Sequence, residues 1–383
     1  SPREDMDDDN FGVRWTGELM PDSTGTYQLG VITTCKVNMY LNDNLIVNTS
    51  YHFRDEYSDP RLRKSSPVVL NAGEKYRIRI EAGESYNDAQ VQLVWAKPER
   101  NKRNELKKEA LEIAGRADVV VMFMGLSARL EGEQMDIEIE GFRGGDRTRI
   151  DLPDLQQELI REIHSLGKPV VLVLMNGSAL AVNWENEYIP AILEAWYPGQ
   201  AAGEAIADVL FGDYNPAGRL PVTFYKSTDD LPPFEEYRMT GQTYRYFRGT
   251  LLYPFGFGLS YTTFHYSNLK VAQSFQAGDS LIVTVTVQNS GKMAGDEVVQ
   301  LYVSKLDAMV PVPVRSLKGF KRMHLLPGEE KTITFSLSPD VFSVIDESFH
   351  KAVIPGRFNV FVGGYQPSGQ QDQLVLKAEV QML

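Results

Sequence analysis

Two stretches, ADVVVMFMG at residues 117–125 and KPVVLVLMNG at residues 168–177, are nearly unbroken apolar runs that close on a glycine. A strand with one wet face alternates apolar and polar residues. Unbroken runs of this length read instead as strands covered on both faces of a parallel sheet. Helical spacing surrounds them. NKRNELKKEALEIAGRA, residues 101–117, puts Leu106, Ala110, Ile113 and Ala114 on one face, and LPDLQQELIREIHSLG, residues 152–167, is a second amphipathic helix. IPAILEAWYPG (189–199) then reads as a shorter strand and QAAGEAIADVLFG (200–212) as a helix. Strand and helix in alternation build a parallel sheet with right-handed crossovers. Ligands bind such sheets beyond the carboxyl ends of the strands. The three strands lead into polar or Gly-rich loops at Gly125–Arg147, Asn176–Ser178 and Tyr197–Gln200.

The rhythm differs on either side. Between residues 11 and 97, FGVRWTGEL, GTYQLGVI, VNMYLND, NLIVNTS, KYRIRIEAG and AQVQLVW alternate apolar with polar residues, with turn formers between them, which suggests a β-sandwich. From about residue 269, SLIVTVTVQNSG, DEVVQLYVSK, KTITFSLS and RFNVFVGG alternate again, a sandwich of immunoglobulin or fibronectin type. The expected organisation is multidomain, α/β plus all-β. A β-sandwich module spans 1–98, an α/β sandwich with a mostly parallel sheet spans 99–226, a connection rich in Pro, Gly and aromatics spans 227–268, and the C-terminal sandwich spans 269–383.

Composition narrows the partners. A net charge of −12 over 383 residues argues against nucleic acid and anionic membrane surfaces, which need a basic patch. No apolar run reaches the roughly 18 residues that span a bilayer. Ser1–Asn10, SPREDMDDDN, is charged throughout and has no signal-peptide core. Cys35, the single cysteine, excludes an internal disulfide and reads as a small core residue. Five scattered histidines show no metal spacing, so neither a catalytic metal nor a cofactor is expected.

One loop concentrates acid. ARLEGEQMDIEIEGFRGGDR, residues 128–147, holds four Glu and two Asp just after the first buried strand. By composition it is a solvated loop. By position it is where a site would form, and cleavage of a glycosidic bond needs one carboxylic acid to protonate the departing oxygen and a second carboxylate across the sugar. Ser178, in MNGSA, lacks a G-x-S-x-G frame and reads as a turn serine. Trp196 and Tyr197 either pack in the core or stack on a sugar ring.

From about residue 105 to 365 the chain resembles the C-terminal part of glycoside hydrolase family 3, the β-glucosidases and β-xylosidases. ADVVVMFMGLS, LEGE, GGDRTRIDLPDLQQELI, GKPVVLVLMNGSAL, AILEAWYPGQAAGEAIADVLFGDYNPAGRLPVTF and YRYFRGTLLYPFGFGLSYTTF carry the likeness in order. NSGKMAGDEVVQLYV and LKGFKRMHLLPGEEKTITF look like that family's fibronectin type III-like domain, and GLS-x-x-LEGE with YRYF looks more like its xylosidase-type branch. Residues 11–97 resemble the protective-antigen-like module that some members insert. Thr34 and Cys35 stand where calcium-dependent sugar-binding relatives of that module carry an Asp pair, so no metal is expected there.

The resemblance implies a general acid/base on the loop after the first α/β strand. It falls on Glu133, with Glu131 as the alternative or as a partner that contacts substrate or tunes its pKa, and Glu140 as a third candidate. It implies substrate contacts from Arg54, Phe53 and Tyr57 in SYHFRDEYSDPRLRK, residues 50–64, a loop that could equally pack on its own module. It also implies a nucleophilic Asp on an N-terminal (β/α)₈ barrel, which needs about 250 residues and is not in this chain. The chain alone is then expected to hold half a site, with an oligosaccharide substrate and the barrel portion of the same enzyme as partners, in a periplasmic or secreted setting. A non-catalytic carbohydrate-binding or interaction fragment is the competing reading.

Overall fold

The computed structural model describes residues 10–49, 61–83, 90–96, 102–135, 137–345, 348–367 and 375–383. The chain divides into two compact units, residues 1–108 and 109–383. Among the described residues no helix is long and apolar enough to cross a membrane.

The first unit is an antiparallel sandwich. Its strands are β1 (Gly12–Leu19), β2 (Gly25–Thr33), β3 (Lys36–Leu41), β4 (Asn44–Asn48), β5 (Arg61–Lys64), β6 (Val68–Leu70), β7 (Tyr76–Gly83) and β8 (Val91–Ala96). One sheet runs β1-β7-β3-β4; in the other, β2 pairs with β5, β6 and β8. The period of two explains the core: Tyr27, Leu29 and Val31 on β2 and Val37 and Met39 on β3 are fully buried, every second residue turning inward. Asn42 and Asp43, at φ of 46° and 67°, make the two-residue hairpin between β3 and β4, a conformation that Asn and Asp tolerate. Cys35 is buried in this core at the turn after β2, as a small apolar residue.

α1 (Lys102–Arg116) spans the division between the units. The second unit continues with β9 (Val120–Gly125), the short strands β10 (Glu138–Ile139), β11 (Phe142–Arg143) and β12 (Asp146–Arg147), then α2 (Asp154–His164), β13 (Val170–Met175), α3 (Asn183–Tyr188), β14 (Ala191–Glu194) and α4 (Ala202–Phe211). β13 lies between β14 and β9, parallel to both, with Val170 opposite Val120 and Val171 opposite Ala191. This is the parallel sheet the apolar runs predict, with one correction. Only β13 is an inner strand. On β9 Met122 is buried, but Val121 and Phe123 are 42% and 52% exposed, so its apolar run does not mean cover on both faces. The predicted apolar face of α1 needs the same correction: Ala114 is buried, whereas Leu106 and Ile113 are each 53% exposed. Periodicity reports which residues could be buried together, not whether a neighbour is present to bury them.

The connecting segment is held by aromatic pairs. Tyr244 stacks on Phe255 at 4.2 Å and Tyr253 on Phe257 at 5.4 Å, and the short helix α5 (Thr243–Tyr246) lies within it. The C-terminal sandwich comprises β15 (Phe264–Val271), β16 (Ser274–Phe275), β17 (Leu281–Asn289), β18 (Gly295–Lys305), β19 (Ser316–Leu325), β20 (Glu330–Leu337), β21 (Ser343–Ile345), β22 (Lys351–Val353), β23 (Gly356–Gly363) and β24 (Val375–Met382). One sheet is β15-β17-β20, the other β16-β24-β23-β18-β19. Val283, Val285 and Val287 of one sheet meet Val299, Leu301, Val360 and Val362 of the other, all at most 0% exposed. Full burial of each such side chain stabilises by about 1.5–3 kcal/mol.

A buried polar seam joins this sandwich to the segments before it. Arg219 Nη2 donates to Glu297 Oε1 on β18 at 3.0 Å, with side chains only 9% and 5% exposed. Gln300 Nε2 donates to the carbonyls of Gly256 and Gly364, and Asn215 bridges Ala294, Ser260 and Tyr261. Gly256 is required there: a Cβ would come within 2.0 Å of the Gln300 amide oxygen.

Candidate active site

The three parallel strands end together, at Gly125, Met175 and Glu194. Leu126 N donates to Met175 O and Ala195 N to Leu174 O, so the chains stay paired as they leave the sheet. Gln156, on α2, clasps the last residue of β9: its Oε1 accepts from Gly125 N at 2.7 Å, and its Nε2 donates to Gly125 O at 2.8 Å. From that point the acidic loop starts.

The loop folds back on itself through β10, β11 and β12, a three-stranded antiparallel meander absent from the sequence reading. Gly132 N donates to Gly145 O at 3.2 Å and Met135 N to Gly144 O at 2.8 Å. Gly145 sits at φ 89°, and a Cβ on it would come 1.8 Å from Gly132 O. The adjacent glycines therefore bring the far end of the loop against the Glu131-Gly132-Glu133 turn and fix the backbone that carries both glutamates.

Glu131 is half-buried and engaged. Its Oε1 accepts a short hydrogen bond from Ser178 Oγ in the loop after β13, and its Oε2 accepts from Tyr197 Oη in the loop after β14, at 3.2 Å. Arg147, on β12, donates to Ser178 Oγ at 2.8 Å and to Ala179 O at 2.9 Å. Burial pulls the Arg147 guanidinium below its usual range, and the nearby Glu131 carboxyl opposes that shift. The Tyr197 phenol is pushed up to about 12, first by burial and then by Glu131, which keeps it a neutral donor at ordinary pH. All three strand-end loops thus meet at one carboxyl group. Glu133, two residues on, is exposed.

Other expected residues fall elsewhere. Glu140 is exposed and lies 3.7 Å from Arg149, which pairs more closely with Asp154. Trp196, at φ 57°, meets Phe224 edge-on, while Tyr197 is 42% exposed and hydrogen-bonded to Glu131 rather than packed in the core. Arg54, Phe53 and Tyr57 lie outside the described residues. Among the described residues there is no group of three or more His, Cys, Asp or Glu placed to hold a metal ion. Ser178 belongs to the cluster although its motif suggested only a turn.

Glu194 also escaped the sequence reading. Its one signal was an acid closing the otherwise apolar strand AILE. Its Oε1 accepts from Trp196 N at 3.1 Å, and its Oε2 lies 3.4 Å from Nδ2 of Asn176, a fully buried side chain whose Nδ2 also reaches Ser178 O. Burial raises Glu194 to about 7. With its pKa above the unfolded value of about 4.3, the folded state binds the extra proton, so this carboxyl's contribution to stability falls as pH rises from about 4.3 through about 7. Glu194→Gln is expected to remove that decline, gaining of order 2 kcal/mol at pH 8 relative to pH 5. Urea unfolding at the two pH values checks it; an unchanged difference between them would refute the assignment.

A family model described as the glycosyl hydrolase family 3 C-terminal domain matches residues 20–261, and one described as a fibronectin type III-like domain matches residues 297–366. Xylan 1,4-beta-xylosidase of Xylanibacter ruminicola is 44% identical over 245 residues, 64% of this chain and 28% of its own length. Periplasmic beta-glucosidase of Salmonella typhimurium is 40% identical over 268 residues, 67% of this chain and 34% of its own. The crystal structure of a beta-glucosidase from Kluyveromyces marxianus in complex with glucose superposes with a TM-score of 0.73 at 31% identity, covering 97% of this chain and 45% of that one. The chain therefore spans less than half the length of these relatives.

Proposed function

The chain belongs to glycosyl hydrolase family 3, and from that premise we propose that it forms the acid/base half of a retaining, exo-acting β-glycosidase that removes terminal β-linked sugars from plant-type oligosaccharides. The observation that carries this reading is the convergence of the three strand-end loops on Glu131, with Glu133 exposed on the same clasped turn. Both oxygens of Glu131 already accept hydrogen bonds, which suits a residue that positions the turn. Glu133 presents its carboxyl outward, as a group must if it is to reach the leaving oxygen of a sugar bound elsewhere.

The nucleophile belongs to the barrel that relatives' greater length leaves room for. In a retaining enzyme the two carboxyl groups stand about 5–5.5 Å apart across the sugar. The barrel Asp attacks the anomeric carbon while Glu133 donates its proton to the departing oxygen. Glu133 then takes a proton from water as that water displaces the Asp from the glycosyl-enzyme intermediate. A periplasmic or secreted setting accords with the name of the Salmonella relative.

Nitrophenyl β-xyloside and β-glucoside, offered to this chain alone and to the chain joined to its barrel, test the division of labour. Turnover is expected only with the barrel. Full turnover by the chain alone would place the nucleophile within these 383 residues and overturn the half-site reading.

A further inference from the structure

Ser178 and Tyr197 can seat Glu131 together only if the loops that carry them are fixed relative to each other. The sheet fixes where those loops start: Leu174 of β13 stands opposite Glu194 of β14, and Ala195 N donates to Leu174 O at 2.9 Å. Beyond that register two side chains tie the loops together. Tyr197 lies against Gly177, where a Cβ would come 2.7 Å from its ring. Glu194 is the second tie. Its Oε1 accepts from Trp196 N at 3.1 Å, and its Oε2 lies 3.4 Å from Nδ2 of Asn176.

Each of these contacts closes a part of the site. Trp196 sits at φ 57°, a left-handed conformation that a bulky residue keeps only where its surroundings impose it. Glu194 holds its amide, and so holds the turn that leads into Tyr197. Asn176 is fully buried, and its Oδ1 finds no donor among the described residues. Its anchorage is therefore through Nδ2, which also donates to Ser178 O at 2.9 Å. A carboxyl can face two donors at once and keeps acceptor capacity when protonated, whereas an amide would turn an NH2 group toward one of them. The titratable groups that the neighbouring loops and β12 bring to the cluster are Glu131, Tyr197 and Arg147. These engage Ser178 and one another. Among the described residues none of them hydrogen-bonds to Glu194.

We propose that Glu194 is a positioning residue: it locks the Asn176–Ser178 loop to the Trp196–Tyr197 turn, so that both oxygens of Glu131 are met together and the turn bearing Glu133 stays closed. Its service to catalysis rests on the glycosidase reading, whereas its coupling to the turn does not.

Hydrogen exchange of backbone amides in this chain reads the coupling. Glu194→Gln keeps the shape of the side chain and loses one acceptor; Glu194→Ala loses both. Gly132 and Met135, whose amides close the turn on Gly145 and Gly144, are expected to exchange about three- to tenfold faster in Glu194→Gln, the change that loss of one hydrogen bond's net stabilisation gives. Amides of β17 should keep their rates in that variant, and Glu194→Ala should open the turn further. Unchanged exchange at Gly132 and Met135 would overturn the proposal. In the barrel-joined enzyme, Glu194→Gln should lower kcat on nitrophenyl β-xyloside by about 10- to 10²-fold, the scale of loss from a misplacement of about 1 Å, without rescue by azide. Because Glu194 acts through Glu131, adding Glu194→Gln to Glu131→Gln should cost no more than about a further twofold. An unchanged kcat, losses that multiply in the double variant, or azide rescue of Glu194→Gln would each overturn the positioning role. The glycosidase reading fails separately, through absence of turnover by the unsubstituted barrel-joined enzyme, and the exchange rates remain readable in that case.

Discussion

Glu133→Gln in the barrel-joined enzyme is expected to lower kcat on nitrophenyl β-xyloside by about 10²–10⁴-fold, the range a positioned general acid/base supplies. The leaving nitrophenolate needs little protonation, so the lost step is the activation of water in the second half of the reaction. The glycosyl-enzyme should then accumulate, and azide, which attacks without a general base, should restore turnover as a glycosyl azide of retained configuration. Glu131→Gln is expected to behave differently. It turns one of the two oxygens that accept from Ser178 Oγ and Tyr197 Oη into an NH2 donor, and so loosens the turn rather than removing the base. Its kcat should fall less, and azide should not rescue it. The reverse pattern, azide rescue of Glu131→Gln alone, would transfer the acid/base role to Glu131.

Glu297→Ala is expected to destabilise the second unit by about 3–5 kcal/mol, a large fraction of a typical domain's stability. Glu297 is 4% exposed, and its Oε1 accepts both from Arg219 Nη2 at 3.0 Å and from its neighbour's amide, Val298 N, at 2.7 Å. Truncation leaves the Arg219 guanidinium buried without its counter-charge, in a site where Arg219 Nε already lacks a partner among the described residues. A double change, Arg219→Met with Glu297→Leu, removes both charges and their desolvation cost, so it should lose far less than the single change. Urea unfolding of the three proteins decides the matter. A loss below about 1 kcal/mol in Glu297→Ala would mean that the pair is solvated and contributes little.

Much of this architecture was legible in the chain because it rests on short-range periodicity. Strict alternation in SLIVTVTVQNSG and GTYQLGVI becomes the inward faces of β17 and β2, since a period of two has one solution once a face is buried. The apolar runs at 117–125 and 168–177 become parallel strands in register, and their loops come together at one edge, where the acidic stretch lies. The exposure of Val121, Phe123, Leu106 and Ile113 was not legible, because burial depends on what packs against an element, and periodicity contains no information about neighbours.

The candidate site divides in the same way. The sequence by itself determined that a carboxyl-rich loop follows a parallel strand, that Glu131 and Glu133 flank a glycine, and that an Asp-Arg pair closes the loop, all consequences of order along one segment. Only the tertiary structure decided that Ser178 and Tyr197, 47 and 66 residues further on, reach Glu131 rather than solvent, and that Glu194 is buried enough to hold its proton near neutral pH. The reason is physical. A hydrogen bond or a desolvated charge is a property of distance in space, and the sheet brings distant residues together by an edge that no local pattern encodes.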